Sequence, residues 1–488
     1  MTLRERAAKG IVWSVAEKWG RAAIWFLTFV VLSRLLGPEA FGLVALASTF
    51  IAFVEVFLSQ GFGAAIVQRA DLVREHLDTA FWATVLIGSL LTVGGIAVSG
   101  SVAALFGEPN LGPVLRWLSI SFILSALSST QMAILRRQFA FKSLAVRSIT
   151  ATTAGGIVGV SLAFAGFGVW SLVVQSLAIG LVGVIVLWRA SDWRPGFDLS
   201  MKHYKELFTF GAYVAGHNIL QVLVRRSDDL LIGYFLGPTL LGYYAIGYRL
   251  VLVIIRAATG IINSVAFPTF SRLQDNPERM RRAFYEVTQY TSLLAFPVFI
   301  GLAILAPEVV PALFGEKWAP SIPVMQVLAL MGILQSGLAF NGSVMKAFGK
   351  PSWHFGIMLL NAVCTVLGFL LVVRWGIVAV AASFVIVGYL LAPVSYMAVH
   401  RLIQIDFRTY FRQFAAPLSA SLIMVILIVG LKNIFQHQGF NSYLQLSVYL
   451  TAGGLTYLLV IGLIARSVCQ QLLKRFSAAV PRWKLKKT

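Results

Sequence analysis

Residues 377–399, IVAVAASFVIVGYLLAPVSYMAV, contain no charged side chain. A helix of this length measures about 35 Å, which is enough to cross the hydrocarbon core of a bilayer. Similar apolar runs recur along the whole chain of 488 residues, of which only 12% are charged. Soluble domains carry about 25% charged residues. The sequence therefore predicts an all-α polytopic membrane protein.

Fourteen apolar segments account for most of the chain. Each contains roughly 20 to 30 residues, long enough to span a membrane with some tilt. The segments are residues 11–36, 41–65, 79–105, 113–135, 147–166, 169–188, 207–236, 243–267, 285–313, 323–345, 353–373, 377–399, 414–434 and 446–465. The loops between them are too short to hold a soluble catalytic domain. We expect about 14 transmembrane helices.

The distribution of Lys and Arg predicts the orientation of these helices. Twenty-nine basic residues lie at the loop ends that share a side with both termini. The opposite loops contain only four, namely Arg116, Lys317, Arg374 and Lys432. Because basic loops stay in the cytoplasm, both termini are predicted to be cytoplasmic. The same asymmetry explains most of the net charge of +21, so we expect no nucleic-acid partner.

An internal repeat divides the chain. LGPEAFG at residues 36–42 recurs as LGPTLLG at 236–242, and LFGE at 105–108 recurs at 313–316. A third, weaker pair is formed by residues 168–171 and 376–379. All of them fall on predicted outside turns, where Gly and Pro reverse the chain. We call residues 36–42 and 236–242 the turn motifs.

The repeat predicts a duplication of six helices. The expected parts are an N-terminal lobe (residues 1–200, helices 1–6), a C-terminal lobe (201–402, helices 7–12), and residues 403–488 with helices 13–14 and a basic cytoplasmic tail. Because six is an even number, the two lobes share one orientation in the membrane. They should be related by a pseudo-two-fold axis along the membrane normal.

Charged residues inside the predicted spans indicate a polar cavity. They concentrate in helices 1, 2, 7 and 8, whose spans contain seven basic and four acidic residues. A charge inside a span is costly unless it faces water or a partner. Glu55, Arg225 and Arg256 are predicted roughly 18–21 Å below the outside turns, near the midplane. Arg249 is shallower, and Arg21 lies in the cytoplasmic half. This net-positive set suits an anionic substrate, especially a phosphate, which Arg binds as a fork.

The carboxylates allow two interpretations. Arg225–Asp228 and Arg226–Asp229 have the i,i+3 spacing of static ion pairs on one helix. Alternatively, Asp228 and Asp229 bind a coupling proton or Na⁺, since a buried carboxylate beside a cavity can change its charge state. Glu55, which has no basic residue within one helical turn, is the alternative coupling site.

No motif of an enzyme is present. The sequence lacks a phosphate-binding loop and a nucleophile elbow, and Cys364 and Cys469 have no metal-ligand spacing. We therefore predict no catalytic residue, no metal site and no cofactor.

Three stretches resemble one known family: GIVW at residues 10–13, LSRLLGPEAFG at 32–42 and QGFGAAIVQR at 60–69. They resemble the opening of the polysaccharide transporter family, the Wzx-type flippases (lipopolysaccharide biosynthesis proteins) of the MOP superfamily. The resemblance implies a two-lobed transporter in the bacterial inner membrane that moves undecaprenyl-diphosphate-linked oligosaccharide to the periplasmic leaflet by alternating access. Arg21, Arg225 and Arg256 would then hold the diphosphate, with Arg249 guiding its exit. Implied partners are the lipid-linked oligosaccharide, membrane lipids, a polysaccharide polymerase and a co-polymerase.

Two other functions remain as alternatives. A MATE-like exporter of small molecules shares this architecture, but an exporter of cationic drugs favours an acidic cavity. A membrane glycan polymerase or ligase usually has one large periplasmic loop, whereas the longest outside loop here has about a dozen residues.

Overall fold

The computed structural model describes residues 3–59, 61–69, 71–435 and 441–466, which form helices and no strand. The α-helices are α1 (Leu3–Leu35), α2 (Pro38–Ser59), α3 (Phe62–Gln68), α4 (Arg74–Leu105), α5 (Leu111–Leu118), α6 (Ile120–Arg137), α7 (Phe141–Phe164), α8 (Val169–Ala190), α9 (Met201–Leu273), α10 (Pro277–Phe314), α11 (Ile322–Leu338), α12 (Asn341–Ala347), α13 (Pro351–Val372), α14 (Ile377–Ile403), α15 (Phe407–Phe435) and α16 (Ser442–Ile464). Short 3₁₀ helices occupy Glu316–Ser321 and Val373–Trp375.

Eleven helical stretches among the described residues are long and apolar enough to cross a membrane. The all-α polytopic fold is therefore confirmed. Three predicted segments are not single helices: 41–65 divides into α2 and α3, 113–135 into α5 and α6, and 323–345 into α11 and α12. In the first of them, α2 ends at Ser59 and α3 begins at Phe62. Gly61 lies between them with a φ of 68°, a left-handed conformation that is not compatible with a continuing helix.

Helix α9 consists of two arms. Gly237 has a φ of 81° and a ψ of 173°, which interrupts the helix after residue 236. We call residues 201–236 the first arm and residues 238–273 the second arm. The break falls in the second turn motif, where the repeat predicts a turn, and only glycine adopts this backbone conformation without strain.

The described chain forms two compact units. Unit 1 contains the residues up to Ala245 together with Leu313–Trp318 and Phe369–Val380, and unit 2 contains the remainder. The division into lobes at residues 200 and 402 stays a prediction.

Within unit 1, the two turn motifs pack against each other. A Cβ atom built on Gly42 would lie 1.6 Å from the carbonyl oxygen of Pro238, and one built on Gly242 would lie 2.0 Å from that of Pro38. Each glycine therefore allows the backbone of the other motif to approach, as small residues do where membrane helices cross closely. The contact is reciprocal, which is the pattern that a two-fold relation between the motifs produces.

The C-terminal end of α1 is fixed by the segment that carries the second LFGE sequence. The indole Nε1 of Trp318 donates to the carbonyl oxygen of Ser33 (2.8 Å), and Lys317 Nζ donates to that of Arg34 (2.8 Å). In return, Arg34 Nε donates to the carbonyl oxygen of Leu313 (2.9 Å). These bonds satisfy carbonyl groups that a helix end leaves without a partner.

Candidate functional site

A buried carboxylate pair lies on the first arm of α9, in unit 1. Asp228 and Asp229 are 6% and 7% exposed. Arg226 Nη1 lies 2.9 Å from Asp229 Oδ2, and Thr49 Oγ1 of α2 donates to the same oxygen (3.2 Å). The predicted Arg226–Asp229 ion pair is therefore confirmed.

Asp228 has a different environment. Its Oδ2 accepts a hydrogen bond from the hydroxyl of Tyr244 (2.9 Å), and its Oδ1 accepts one from the backbone N–H of Asp229 (2.9 Å). Both donors are neutral, so these bonds do not supply a compensating charge. The side chain of Arg225, the predicted partner of Asp228, lies outside the described residues. The Arg225–Asp228 pair stays a prediction.

Glu55 belongs to the same unit and lies on α2. Its carboxylate is exposed and accepts a hydrogen bond from Ser125 Oγ of α6 (2.8 Å). A serine hydroxyl holds the carboxylate in place without neutralising it. Glu55 thus remains a candidate for proton binding.

The predicted substrate arginines lie on α1 and on both arms of α9, with Arg225 on the first arm. Arg21 is exposed on α1. Arg249 is half-buried and Arg256 is exposed, both on the second arm of α9 in unit 2. The role of these residues in substrate binding stays a prediction.

An apolar cavity of roughly 260 Å³ lies in unit 1 between α2, α4, α5 and α6. Phe50, Val54, Leu91 and Phe122 line it, and serines supply its polar side chains. None of the predicted charged site residues whose side chains the structure describes lines this cavity. Its chemistry suits a hydrocarbon chain, not an anionic headgroup.

A cluster of His76, His203 and Glu206 was not predicted, because α4 and the first arm of α9 are far apart in the sequence. Its potential ligand atoms all lie within 4.8 Å of one another. His76 Nε2 is 3.2 Å from Glu206 Oε2, and Arg69 Nη2 is 2.7 Å from the same oxygen. The hydrogen bond from His76, together with the charge of Arg69, lowers the pKa of Glu206.

The tautomer of His76 argues for a structural role of this cluster. The backbone N–H of Val73 donates to His76 Nδ1 (3.3 Å), so the ring proton belongs on Nε2 and points at Glu206. A protonated Nε2 has no lone pair for a metal ion. We call Arg69, His76, His203 and Glu206 the histidine network and infer that it holds α4 against the first arm of α9.

The amino-acid sequence matches one family model and several characterised proteins over most of its length. The family model described as polysaccharide biosynthesis protein matches residues 31–323. The teichuronic acid biosynthesis protein TuaB of Bacillus subtilis is 27% identical, over 94% of this chain and 96% of its own. The succinoglycan biosynthesis transport protein ExoT of Rhizobium meliloti is 29% identical, over 97% of this chain and 96% of its own.

The fold also matches a solved structure. The lipid II flippase MurJ, in an inward closed conformation, aligns with a TM-score of 0.76 at 13% sequence identity. The alignment covers 94% of this chain and 100% of the MurJ chain. A similarity of this kind shows a shared fold over nearly the whole molecule.

Proposed function

Because this chain belongs to the polysaccharide biosynthesis protein family, we propose that it is a flippase for undecaprenyl-diphosphate-linked oligosaccharide. It moves this lipid from the cytoplasmic to the periplasmic leaflet of the bacterial inner membrane, with both of its own termini in the cytoplasm. The observation that carries the proposal is the full-length similarity to ExoT, whose name describes a biosynthesis transport protein.

The charges inside the predicted spans support this substrate. Predicted helices 1, 2, 7 and 8 contain seven basic residues against four acidic ones, and this positive excess attracts a diphosphate and repels the cations that many drug exporters carry. Arginine suits the task because its planar fork binds two phosphate oxygens at once. In this proposal Arg21, Arg225 and Arg256 bind the diphosphate and Arg249 guides its exit.

Alternating access then provides the movement. One half of the molecule rocks against the other, so the headgroup site opens to one leaflet at a time while the lipid tail stays in the bilayer. The flipped lipid is the substrate of a polymerase on the periplasmic side, which makes a polysaccharide polymerase and its co-polymerase the expected partners. Asp228, Asp229 or Glu55 provides the coupling to an ion gradient.

Flipping is tested with the purified full-length protein in liposomes. A fluorescent undecaprenyl-diphosphate-linked oligosaccharide is incorporated, and dithionite is added outside to bleach the label in the outer leaflet. Empty liposomes should lose about half of the signal, whereas liposomes with the protein should lose nearly all of it. Bleaching that stops at the same level in both preparations would refute the proposed function.

Substitutions of Arg256 test the proposed substrate site most directly. A charge-assisted contact to phosphate contributes about 1.5–3 kcal/mol, which corresponds to roughly tenfold to a hundredfold in affinity. Arg256→Ala should therefore slow flipping at least tenfold, and Arg256→Lys should restore it only in part, since Lys keeps the charge and loses the fork. Unchanged flipping by Arg256→Ala, at equal protein content, would remove this residue from the site.

A further inference from the structure

The connection between α8 and α9 exposes large apolar side chains. Phe197, Leu199 and Met201 are 81%, 63% and 69% exposed. They lie close together in the sequence, at the point where the first arm of α9 begins. Single apolar residues on a surface are common, but a contiguous apolar cluster marks a site that contacts a partner or a membrane. We call residues 195–201 the connecting segment.

Helix α4 fixes the backbone of the connecting segment. The indole Nε1 of Trp82 donates to the carbonyl oxygen of Gly196 (2.7 Å). The rings of Trp82 and Phe197 stack, with their centroids 5.1 Å apart. Thr79 Oγ1 of the same helix accepts a hydrogen bond from the backbone N–H of Ser200 (3.1 Å). The exposed side chains are therefore held in a defined position by α4.

Trp82 begins the row of α4 side chains that faces lipid. Leu86, Leu90 and Val93 follow it at helical spacing, and all three are more than 60% exposed. Only 17% of the apolar window of this span is buried inside the protein. A span that is apolar all round and so little covered by protein contacts lipid chains. The stack of Trp82 and Phe197 thus continues the lipid-facing surface of α4 into the connecting segment.

The length of α4 indicates how deep this stack lies in the membrane. The helix has 32 residues and measures about 48 Å, whereas the hydrocarbon core is about 30 Å thick. With the core centred on the helix, about 9 Å of α4 extends beyond it at each end. Trp82 lies about 12 Å along the axis from the first residue, Arg74. The stack is therefore at the boundary between hydrocarbon and headgroups, where amphipathic aromatic rings are enriched.

Charged side chains flank the connecting segment. Arg189 and Arg194 precede it, Lys202 follows it, and all three are exposed. Asp192 and Asp198 are also exposed, so three positive charges against two negative ones leave one net positive charge. At the edge of the hydrocarbon core, long basic side chains extend to the headgroup phosphates while their stems stay on apolar surface. Aromatic, apolar and basic residues together are typical of a segment at the membrane surface.

We propose that the connecting segment inserts into the headgroup region of the bilayer and anchors the start of α9 on lipid. The leaflet is the one at the N-terminal end of α4, which is the cytoplasmic leaflet in the orientation proposed above. Phe197, Leu199 and Met201 contact the upper part of the lipid chains, and the flanking basic side chains reach the phosphates. This contact does not depend on the proposed function, since no transported substrate takes part in it.

The experiment places a fluorescent reporter in the connecting segment. Phe197→Cys and Leu199→Cys are made separately in the full-length protein, with Cys364 and Cys469 replaced by Ser. Each is labelled with bimane and reconstituted in phosphatidylcholine liposomes. Lipids with a spin label near the headgroup should quench both reporters strongly, whereas iodide on both sides of the membrane should quench them weakly. Glu75→Cys is the matched control: it lies about 10 Å further out on α4, so iodide should quench it strongly.

A second pair of variants tests whether α4 sets the depth of the segment. In the Leu199→Cys reporter, Trp82→Ala removes the hydrogen bond to Gly196 and the ring stack. Quenching by the spin-labelled lipid should then fall, and quenching by iodide should rise. Trp117→Ala removes another exposed indole, on α5, and should leave both values unchanged. Unchanged quenching in Trp82→Ala would overturn the positioning of the segment by α4.

The same measurements separate lipid from water and from a protein partner. Iodide quenching of both segment reporters as strong as that of Glu75→Cys would place the segment in water and refute the anchor. Reporters shielded from iodide and from the spin-labelled lipid alike would be covered by protein, which also refutes it. Oxidative cross-linking between two Phe197→Cys chains would identify that protein as a second copy. A parent protein that does not flip its lipid would refute the proposed function alone and leave the anchor in place.

Discussion

Among single residues, Asp228 and Asp229 differ in what compensates their charge. Asp229 pairs with Arg226, whereas the described bonds of Asp228 come from neutral groups. A buried carboxylate whose hydrogen bonds come from neutral groups changes its protonation more easily than one in a direct ion pair. Asp228 is therefore the stronger candidate for ion coupling.

This difference predicts different phenotypes for two similar substitutions. Asp228→Asn keeps an oxygen that accepts from Tyr244, so the protein should fold and flip slowly downhill, but its flipping should no longer respond to an imposed proton or Na⁺ gradient. Asp229→Asn should keep the gradient response and lower the thermal stability slightly, because it removes the partner of Arg226. The measurement is flipping in proteoliposomes with and without each gradient. A full gradient response in Asp228→Asn would assign the pair a structural role and leave Glu55 as the coupling site.

Some of these contacts follow from the sequence and others do not. The Arg226–Asp229 pair follows from i,i+3 spacing on one helix. The bond between Asp228 and Tyr244 does not, because Gly237 breaks the helix between them and a helical repeat then no longer predicts which side chains meet. The sequence places Arg147 among the predicted cytoplasmic loop charges, whereas the structure packs its guanidinium over Gly183 of α8, a contact that no local sequence pattern predicts.

At the level of helices, the crossing of α2 with the second arm of α9 depends on two glycines. Gly42→Ala would bring a methyl group into the backbone of Pro238, where no side chain can move aside. Overpacking commonly costs about 1–3 kcal/mol, and a clash with backbone lies at the upper end. Gly42→Ala should therefore lower the temperature of thermal unfolding in detergent.

A matched control exists for this substitution. Among the described residues, no atom lies within 4 Å of the point that a Cβ on Gly454 of α16 would occupy, so Gly454→Ala should leave the unfolding temperature unchanged or raise it slightly. Equal unfolding temperatures for Gly42→Ala and the parent protein would contradict the close crossing of the two motifs.

The histidine network predicts a dependence of stability on pH. The pKa of Glu206 is lower in the folded protein than its ordinary value of about 4.3. The folded state is thus stabilised above that ordinary value, and this stabilisation is lost as the pH falls through the lowered pKa. Between about pH 5 and pH 3, the unfolding temperature of the parent should fall more steeply than that of Glu206→Gln.

The control is Glu75→Gln, since Glu75 is exposed on the first turn of α4. It should follow the pH curve of the parent protein. Parallel curves for Glu206→Gln and the parent would show that the histidine network does not stabilise the fold.

For the whole molecule, the repeat and the charge asymmetry predict the topology. In a background where Cys364 and Cys469 are replaced by Ser, cysteines at Glu39 and Thr239 should both react with an impermeant thiol reagent added from the periplasmic side. A cysteine at Arg279 should react only after the membrane is permeabilised. Labelling of only one of the two turn motifs from outside would contradict the parallel duplication.

The fold class was predictable because hydropathy and loop charge are properties of long segments, which tolerate errors of a few residues. The ends of the helices were not predictable from the sequence, as the break at Gly61 shows. A run of apolar residues does not reveal where the backbone turns within it. The histidine network joins residues more than 120 positions apart, and no periodicity in a single sequence connects them.

The reciprocal packing of the turn motifs also has a consequence for biosynthesis. Gly42 meets a residue that is synthesised about 200 positions later, and at about 5–20 residues per second the ribosome needs on the order of 10–40 s to reach it. During that interval α2 is already in the bilayer, and Gly42 near its N-terminal end is not yet packed against the second turn motif. The first half of the chain must therefore persist as an unfinished membrane intermediate, and a nascent chain arrested before residue 242 should remain more sensitive to membrane proteases than one arrested after it.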